Sequence, residues 1–341
     1  MSAVKLFREH ELAFRTQYAE LKERVLAAGP LLPGTPGSLV LRSGTGYGYW
    51  YRCFYSVPGK QREELICKED EADTLNEMRE RIAFAEWCAI QVPNLRKLGF
   101  QVADKTVARV LMELHNHRTF EAGLVLVGTL GYMAWLNELG AIAISVRTQD
   151  VDLARRQPLR LTAPLPLQSA LEATGLPFVS VPGLPSTNPS TALKLPGAQG
   201  LRIDLLAPGM PLGGIVPLPE LAWAAQAVPF YDYLLEAPES AALLAGWQCI
   251  PVRLPQAGRF VWHKLYASTH RKGFPEKSVK DRQQALVLAA VLSEADPLAL
   301  QRAFDDAPTA MTASIKPLLG SLCKALDAHP ELKDILTTCL K

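Results

Sequence analysis

Two aspartates set two positions apart carry the first chemical signal in this sequence. They stand in Arg147-Thr148-Gln149-Asp150-Val151-Asp152-Leu153, where Asp150 and Asp152 alternate with apolar residues. Such alternation predicts a strand with both carboxylates on one face and Val151 and Leu153 on the other. Adjacent carboxylates repel each other unless a positive charge comes between them. A divalent cation supplies that charge, and hard carboxylate oxygens suit Mg²⁺ or Mn²⁺. A third candidate is Asp204, inside the β-type run Leu201-Arg202-Ile203-Asp204-Leu205-Leu206, where a charge needs a reason to be. Upstream, an apolar run from Val125 ends at Gly128-Thr129, where a helical pattern starts. Backbone N–H groups at a helix start, together with the Thr129 hydroxyl, suit an anion such as phosphate.

Further charged residues fall near these. Lys264 lies on an otherwise apolar helical turn within Gly258–Arg271. A cation in that setting needs a partner, and either a substrate phosphate or a carboxylate would serve. Arg155, Arg156 and Arg160 follow the aspartate pair and read equally as phosphate contacts or as solvated charges. His115-Asn116-His117 has no ligand-set spacing, and adjacent helical residues point apart. Gly44-Thr45-Gly46-Tyr47-Gly48 is followed by no helical pattern, so it reads as a hairpin turn and not a phosphate loop.

The elements that must position these residues read as a mixed α/β chain. Residues 3–28 have the spacing of an amphipathic helix through Phe14, Tyr18, Leu21 and Val25. A Pro- and Gly-rich break at 29–37 precedes a three-stranded antiparallel meander over about 38–67. A charged helix is expected from Glu69 to about Leu98, and Asp104 is an expected N-cap for the next. Beyond the aspartate strand, 164–175 reads as a short helix and 178–181 as a strand. The Pro/Ser/Thr loop 184–190 could lie over the site. Residues 217–227 read as a helix, and 230–235 and 249–254 as strands. From 281 to 341 the pattern is a bundle of three or four helices. These divisions give three expected domains: 1–100, a catalytic core over 101–275, and a helical bundle over 276–341.

Composition narrows the class. The chain has 341 residues, 48% hydrophobic and 21% charged, with a net charge of +2. That is an ordinary folded protein, and any nucleic-acid binding must come from local patches rather than overall charge. The six cysteines include no C-x-x-C pair, which predicts reduced thiols and a cytoplasmic location. Charges come too early in the N-terminal residues for a signal peptide, and no apolar run is long enough for a membrane span.

Taken together, the Gly128-Thr129 turn into a helix, the Asp150/Asp152 pair and Asp204 resemble the DNA polymerase β-like nucleotidyltransferase superfamily. Thr129 stands where Ser or Gly is commoner, and the stretch from Thr129 to Asp150 is long enough to hold an extra turn or short strand at 140–145. The Arg-Thr-x-Asp-x-Asp context is similar to a bacterial branch containing abortive-infection-type nucleotidyltransferase toxins. Lys264, Leu265, Ala267, Arg271, Lys280 and Asp281 match that branch's Lys-Leu-x-Ala-x-x-x-Arg helix and following Lys-Asp step. The resemblance implies a nucleotidyltransferase core of a mixed sheet flanked by helices, with Mg²⁺ or Mn²⁺ as cofactor and a nucleoside triphosphate as substrate. It implies Asp150, Asp152 and Asp204 as metal-binding and catalytic residues. Gly128, Thr129, Arg147 and Lys264 would contact the nucleotide, with Arg155, Arg271 and Asp281 as further substrate contacts. The acceptor hydroxyl is left open among RNA or tRNA, protein and small molecule, and a partner resembling an antitoxin is implied.

Two other readings stand beside this one. A non-catalytic relative would bind nucleotide or a regulatory partner through the same pocket. A nucleic-acid-binding module would use the aromatic meander (Tyr49, Trp50, Tyr51, Phe54, Tyr55) with Arg271, Lys272, Lys277, Lys280 and Arg282. Metal dependence of nucleotide binding separates the first from the enzyme, and salt dependence of RNA binding tests the second.

Overall fold

The computed structural model describes residues 5–44, 46–57, 59–144, 148–271, 273–324 and 326–340. Arg147 and Lys272, both singled out above, lie outside the described residues. The first helix is shorter than the pattern suggested. Strand β1 (Arg8–Glu9) pairs with Ala141–Ile142, and helix α1 (Leu12–Ala27) follows with Tyr18, Leu21 and Val25 buried.

Strands β2 (Ser38–Ser43), β3 (Gly48–Val57) and β4 (Lys60–Lys68) form the expected antiparallel meander. Its anchor is Arg52, a fully buried guanidinium. Arg52 donates to the carbonyls of Pro36 (2.9 Å), Pro33 (2.8 Å) and Thr35 (2.7 Å), and to Glu64 (3.2 Å), while lying 4.1 Å over the Phe54 ring. The Pro/Gly break is thereby ordered by one cation satisfying three free carbonyls. Helix α2 (Ala72–Lys97) follows the meander, with Arg79 over Trp50. Then comes α3 (Lys105–Asn116), capped by Asp104, which accepts from the Thr106 N–H at 2.8 Å.

The central unit runs β5 (Leu124–Leu126), α4 (Gly128–Glu138), β6 (Ala141–Ile142), β7 (Asp150–Arg155), α5 (Leu167–Glu172), β8 (Val179–Ser180), β9 (Ala192–Lys194) and β10 (Arg202–Pro208). After these come β11 (Ile215–Leu218), a 3-10 turn (Pro219–Leu221) and β12 (Trp223–Val228). The sheet order is β11-β12-β10-β7-β5, with β9 also on β10 and β8 on β9. β7, β10 and β12 are parallel; β5, β9 and β11 pair antiparallel, so the sheet is mixed as expected.

Two expectations fail here. Residues 217–227 are not a helix but strand, turn and strand. Ala222 takes φ +46°, and Ala227 packs so close to Gly209 and Gly214 that a Cβ added to them would lie 3.0 and 3.4 Å from the Ala227 Cβ. Ala227 is small because the strands crowd it, not because it favours a helix. Residues 230–235 are not a strand: Phe230 takes φ +60° and starts a short helix, α6 (Tyr231–Leu234), burying Tyr231, Tyr233 and Leu234.

Strands β13 (Glu239–Ala245) and β14 (Gln248–Leu254) make a hairpin against α1, α3, α4 and β5. Glu138 joins three of these pieces, accepting from the Tyr18 hydroxyl (2.9 Å), the Lys22 ammonium (2.6 Å) and the Ala242 N–H (3.0 Å). Helix α7 (Ala257–His270) is buried almost throughout, and α8 (Pro275–Ala295), α9 (Pro297–Asp305), α10 (Thr309–Cys323) and α11 (Pro330–Leu340) form the C-terminal bundle. α7 packs on α8, α9 and α10, so the sheet and the bundle share one core. No helix among the described residues is long and apolar enough to cross a membrane.

The Arg52 anchor yields a prediction. Arg52→Lys keeps the charge but cannot present a planar fork to three carbonyls. It should cost about 2–4 kcal/mol in urea denaturation, since buried donors and acceptors are left unmade.

Candidate active site

The carboxylates come together because of strand parity and register. Asp150 and Asp152 share one face of β7 while Val151 and Leu153 are fully buried on the other. Parallel pairing of β7 with β10 sets Asp152 beside Asp204 and Asp150 beside Arg202. Helix α4 starts against this row. Val127 N–H donates to the Asp152 carbonyl at 3.0 Å, and a Cβ on Gly128 would sit 1.9 Å from Asp152 Oδ2. With φ +65° as well, only glycine fits there. Thr129, buried in the first turn, lines the same cleft.

The opposite wall is cationic. Lys264 on α7 donates to Asp281 Oδ1 at 3.1 Å, and Arg271 at the end of α7 donates to Asp281 Oδ2 at 3.0 Å. Lys264 and Asp281 are both buried. Burial works against a charged Asp281, but the two cations outweigh it and hold its carboxyl below the ordinary range. Lys277 and Lys280 on α8 line the same wall, and burial followed by repulsion from Lys264 lowers the Lys280 pKa. His263 is buried, makes a 3.2 Å hydrogen bond to the Pro229 carbonyl and is held neutral, its pKa pushed down to about 4 by burial and, more weakly, by Lys264 and Arg271.

Between the walls is a cleft of about 720 Å³ containing Gly128, Thr129, Asp150, Asp152, Asp204 and the four cations of the opposite wall. Asp152 carries the electrostatic mark of the arrangement. Burial, then repulsion from Asp204 and Asp150, raises its pKa to about 6 against the pull of Lys264 and Arg271. The oxygens are hard donors of the kind Mg²⁺ or Mn²⁺ takes, and carboxylates gathered to this degree favour a multivalent cation. Among the described residues, however, no three His, Cys, Asp or Glu side chains are gathered as a ready metal cage. Asp204 is engaged instead by Arg202, whose Nε lies 2.9 Å from both carboxylate oxygens. The donor set therefore suits a divalent cation in kind, and among the described residues Asp150 and Asp152 form no such salt bridge.

The expected residues do not all meet. Gly128, Thr129, Asp150, Asp152, Asp204, Lys264, Arg271 and Asp281 all line one cleft. Arg155 does not. It falls on the opposite face of β7 from the aspartates, buried, 2.9 Å from Glu220 and donating to the Pro217 carbonyl at 3.0 Å. Strand parity places it away from the cleft, where it ties β7 to the β11 turn region. The loop 184–190 contributes nothing to the cleft lining; the loop after β10 does, through Met210 and Leu212. Sequence reasoning assigned no role to Arg202, although it stands two residues before Asp204 and so shares its face. Gln226, His263 and Tyr231 were also unmarked, and nothing in their local pattern distinguishes them.

A family model described as a nucleotidyltransferase matches residues 105–309. The match spans more than half of the chain and takes in the whole cleft. The chain belongs to this nucleotidyltransferase family, and it is a transferase enzyme. No curated protein and no solved structure matches it.

Two predictions arise from the charges. A carboxyl whose folded pKa is raised makes the native state bind more protons than the unfolded chain between its two pKa values. Its contribution is therefore a loss of stability that grows as pH rises from about 4 to about 6. Asp152→Asn should raise the metal-free unfolding temperature by about 2–4 °C at pH 7.5, with the gain vanishing near pH 4. Asp281→Ala strands two cations, one of them buried, and should cost about 3–5 kcal/mol in chemical denaturation; adding Lys264→Met should restore part of it.

Proposed function

We propose that this nucleotidyltransferase uses Mg²⁺ or Mn²⁺ to move a nucleoside monophosphate from a nucleoside triphosphate to an acceptor hydroxyl, releasing pyrophosphate. The observation that supports this most is the facing of two charge sets: three aspartates on one sheet face opposite Lys264, Arg271, Lys277 and Lys280. A triphosphate needs both, cations for its oxygens and carboxylates for the divalent ion that travels with it.

In this reading the Gly128-Thr129 turn takes phosphate oxygens through backbone N–H groups and the Thr129 hydroxyl. Asp150 and Asp152 hold the divalent ion, which when bound neutralises phosphate charge and favours in-line displacement. Asp204 would complete the metal site and help take up the acceptor hydroxyl's proton. Lys264 and Arg271, held in place by Asp281, stabilise the charge that gathers on the departing pyrophosphate. Arg147 is a further nucleotide contact by resemblance. The acceptor is an RNA or tRNA end, a protein hydroxyl or a small molecule. Likeness to the toxin branch favours a macromolecular acceptor in the cytoplasm and an antitoxin-like partner.

The test uses each α-labelled nucleoside triphosphate with Mg²⁺ or Mn²⁺ and bacterial lysate. Label should enter RNA, protein or a small molecule, and Asp150→Ala/Asp152→Ala should reduce it about a thousandfold or more. Transfer that survives the double substitution would sink the assigned chemistry. Absence of label under every nucleotide would leave a nucleotide-binding protein without this activity.

A further inference from the structure

We propose that Arg202 competes with a divalent cation for Asp204, so that Asp204 joins metal binding only when the Arg202 guanidinium leaves it. This rests on the metal-dependent reading above. Arg202 and Asp204 are two apart on β10, so their side chains share the cleft face. The register of β10 against β7 sets Arg202 next to Asp150 as well. The guanidinium contacts Asp204 three times: Nε to Oδ1 and to Oδ2, each at 2.9 Å, and a terminal nitrogen to Oδ1 at 2.8 Å. Both oxygens are engaged, which is how an arginine fork matches a carboxylate. The same lone pairs cannot also coordinate a cation at full strength.

The other anchored cations of the cleft differ in one respect. Lys264 and Arg271 spend their charge on Asp281, which lies on a helix and outside the aspartate row. Among the described residues, Arg202 is the cation in salt-bridge contact with one of the three sheet aspartates. Its side chain is 39% exposed, and among the described residues its side-chain hydrogen bonds go to Asp204. Released from Asp204, its long stem leaves the guanidinium in the cleft, free to meet an incoming phosphate oxygen. Arg202 is thus a positioning residue: it holds Asp204 in place without metal, and exchange for a cation couples metal loading to the arrival of an anion.

The experiment is Mn²⁺ titration of the full chain by calorimetry without nucleotide, with folding of each variant checked by thermal melting. Arg202→Gln should bind Mn²⁺ about tenfold or more tighter than the unaltered chain, since a charge-assisted fork no longer competes. Lys280→Gln removes a cleft charge that does not touch the triad, and should change affinity by only about twofold. Arg202→Lys, which keeps charge but loses the fork, should fall between them. Adding Asp204→Asn to Arg202→Gln should abolish the gain. The proposal is overturned if Arg202→Gln matches the unaltered chain or Lys280→Gln, or if the gain survives Asp204→Asn. Should the unaltered chain and all variants fail to bind Mn²⁺, the metal-dependent reading itself falls, an outcome distinct from the first.

Discussion

The interaction on which the rest of the structure depends is repulsion among Asp150, Asp152 and Asp204. Strand parity and the β7–β10 register bring these carboxylates to one face, and burial together with their mutual repulsion raises the Asp152 pKa to about 6. Everything nearby answers that charge. Gly128 gives up its side chain so that helix α4 can begin against Asp152. Arg202 binds Asp204, and Lys264 and Arg271 face the row from α7. A site built this way holds unfavourable charge close together, and opposite charge brought to it relieves that strain.

The cationic wall depends on the C-terminal bundle. Buried Lys264 donates to Asp281, and Asp281 lies on α8. α7 in turn is fixed by the helices around it: Trp262 donates to the Leu300 carbonyl at 2.9 Å, and Gly258 lies so close to α9 that a Cβ would meet the Ala299 carbonyl oxygen at 2.6 Å. The bundle is therefore part of the site's support and shares the core of the sheet. At the far end of the chain order, Glu138 does the same work for α1, α4 and β13 through three accepted hydrogen bonds.

Local pattern was reliable where one face of an element is buried and the other is not. The Asp150 and Asp204 strands could be read because alternation records that burial, and the Asp104 cap because its side chain suits that position. It misled where small or aromatic residues serve packing. Ala224, Ala225 and Ala227 resemble a helix but line a crowded strand, and Tyr231 and Tyr233 resemble a strand but fill a helical turn set off by Phe230. Arg155 shows a different error. Nearness in sequence suggested a shared site, whereas a strand sends odd and even neighbours to opposite faces.

By itself the sequence determined the chemical inventory: which residues are acids, which are cations, and which carboxylates share a strand face. Those follow from covalent spacing and the period of two, and they suffice for the mixed α/β class and for the nucleotidyltransferase resemblance. Only the tertiary structure decided pairing. That Asp204 stands beside Asp152 is a matter of register between strands about fifty residues apart in sequence. That Lys264 leans on Asp281 while Arg202 holds Asp204 is a choice among several opposite charges within reach. Such choices turn on ångström distances and on desolvation, and neither is written in the order of residues along the chain.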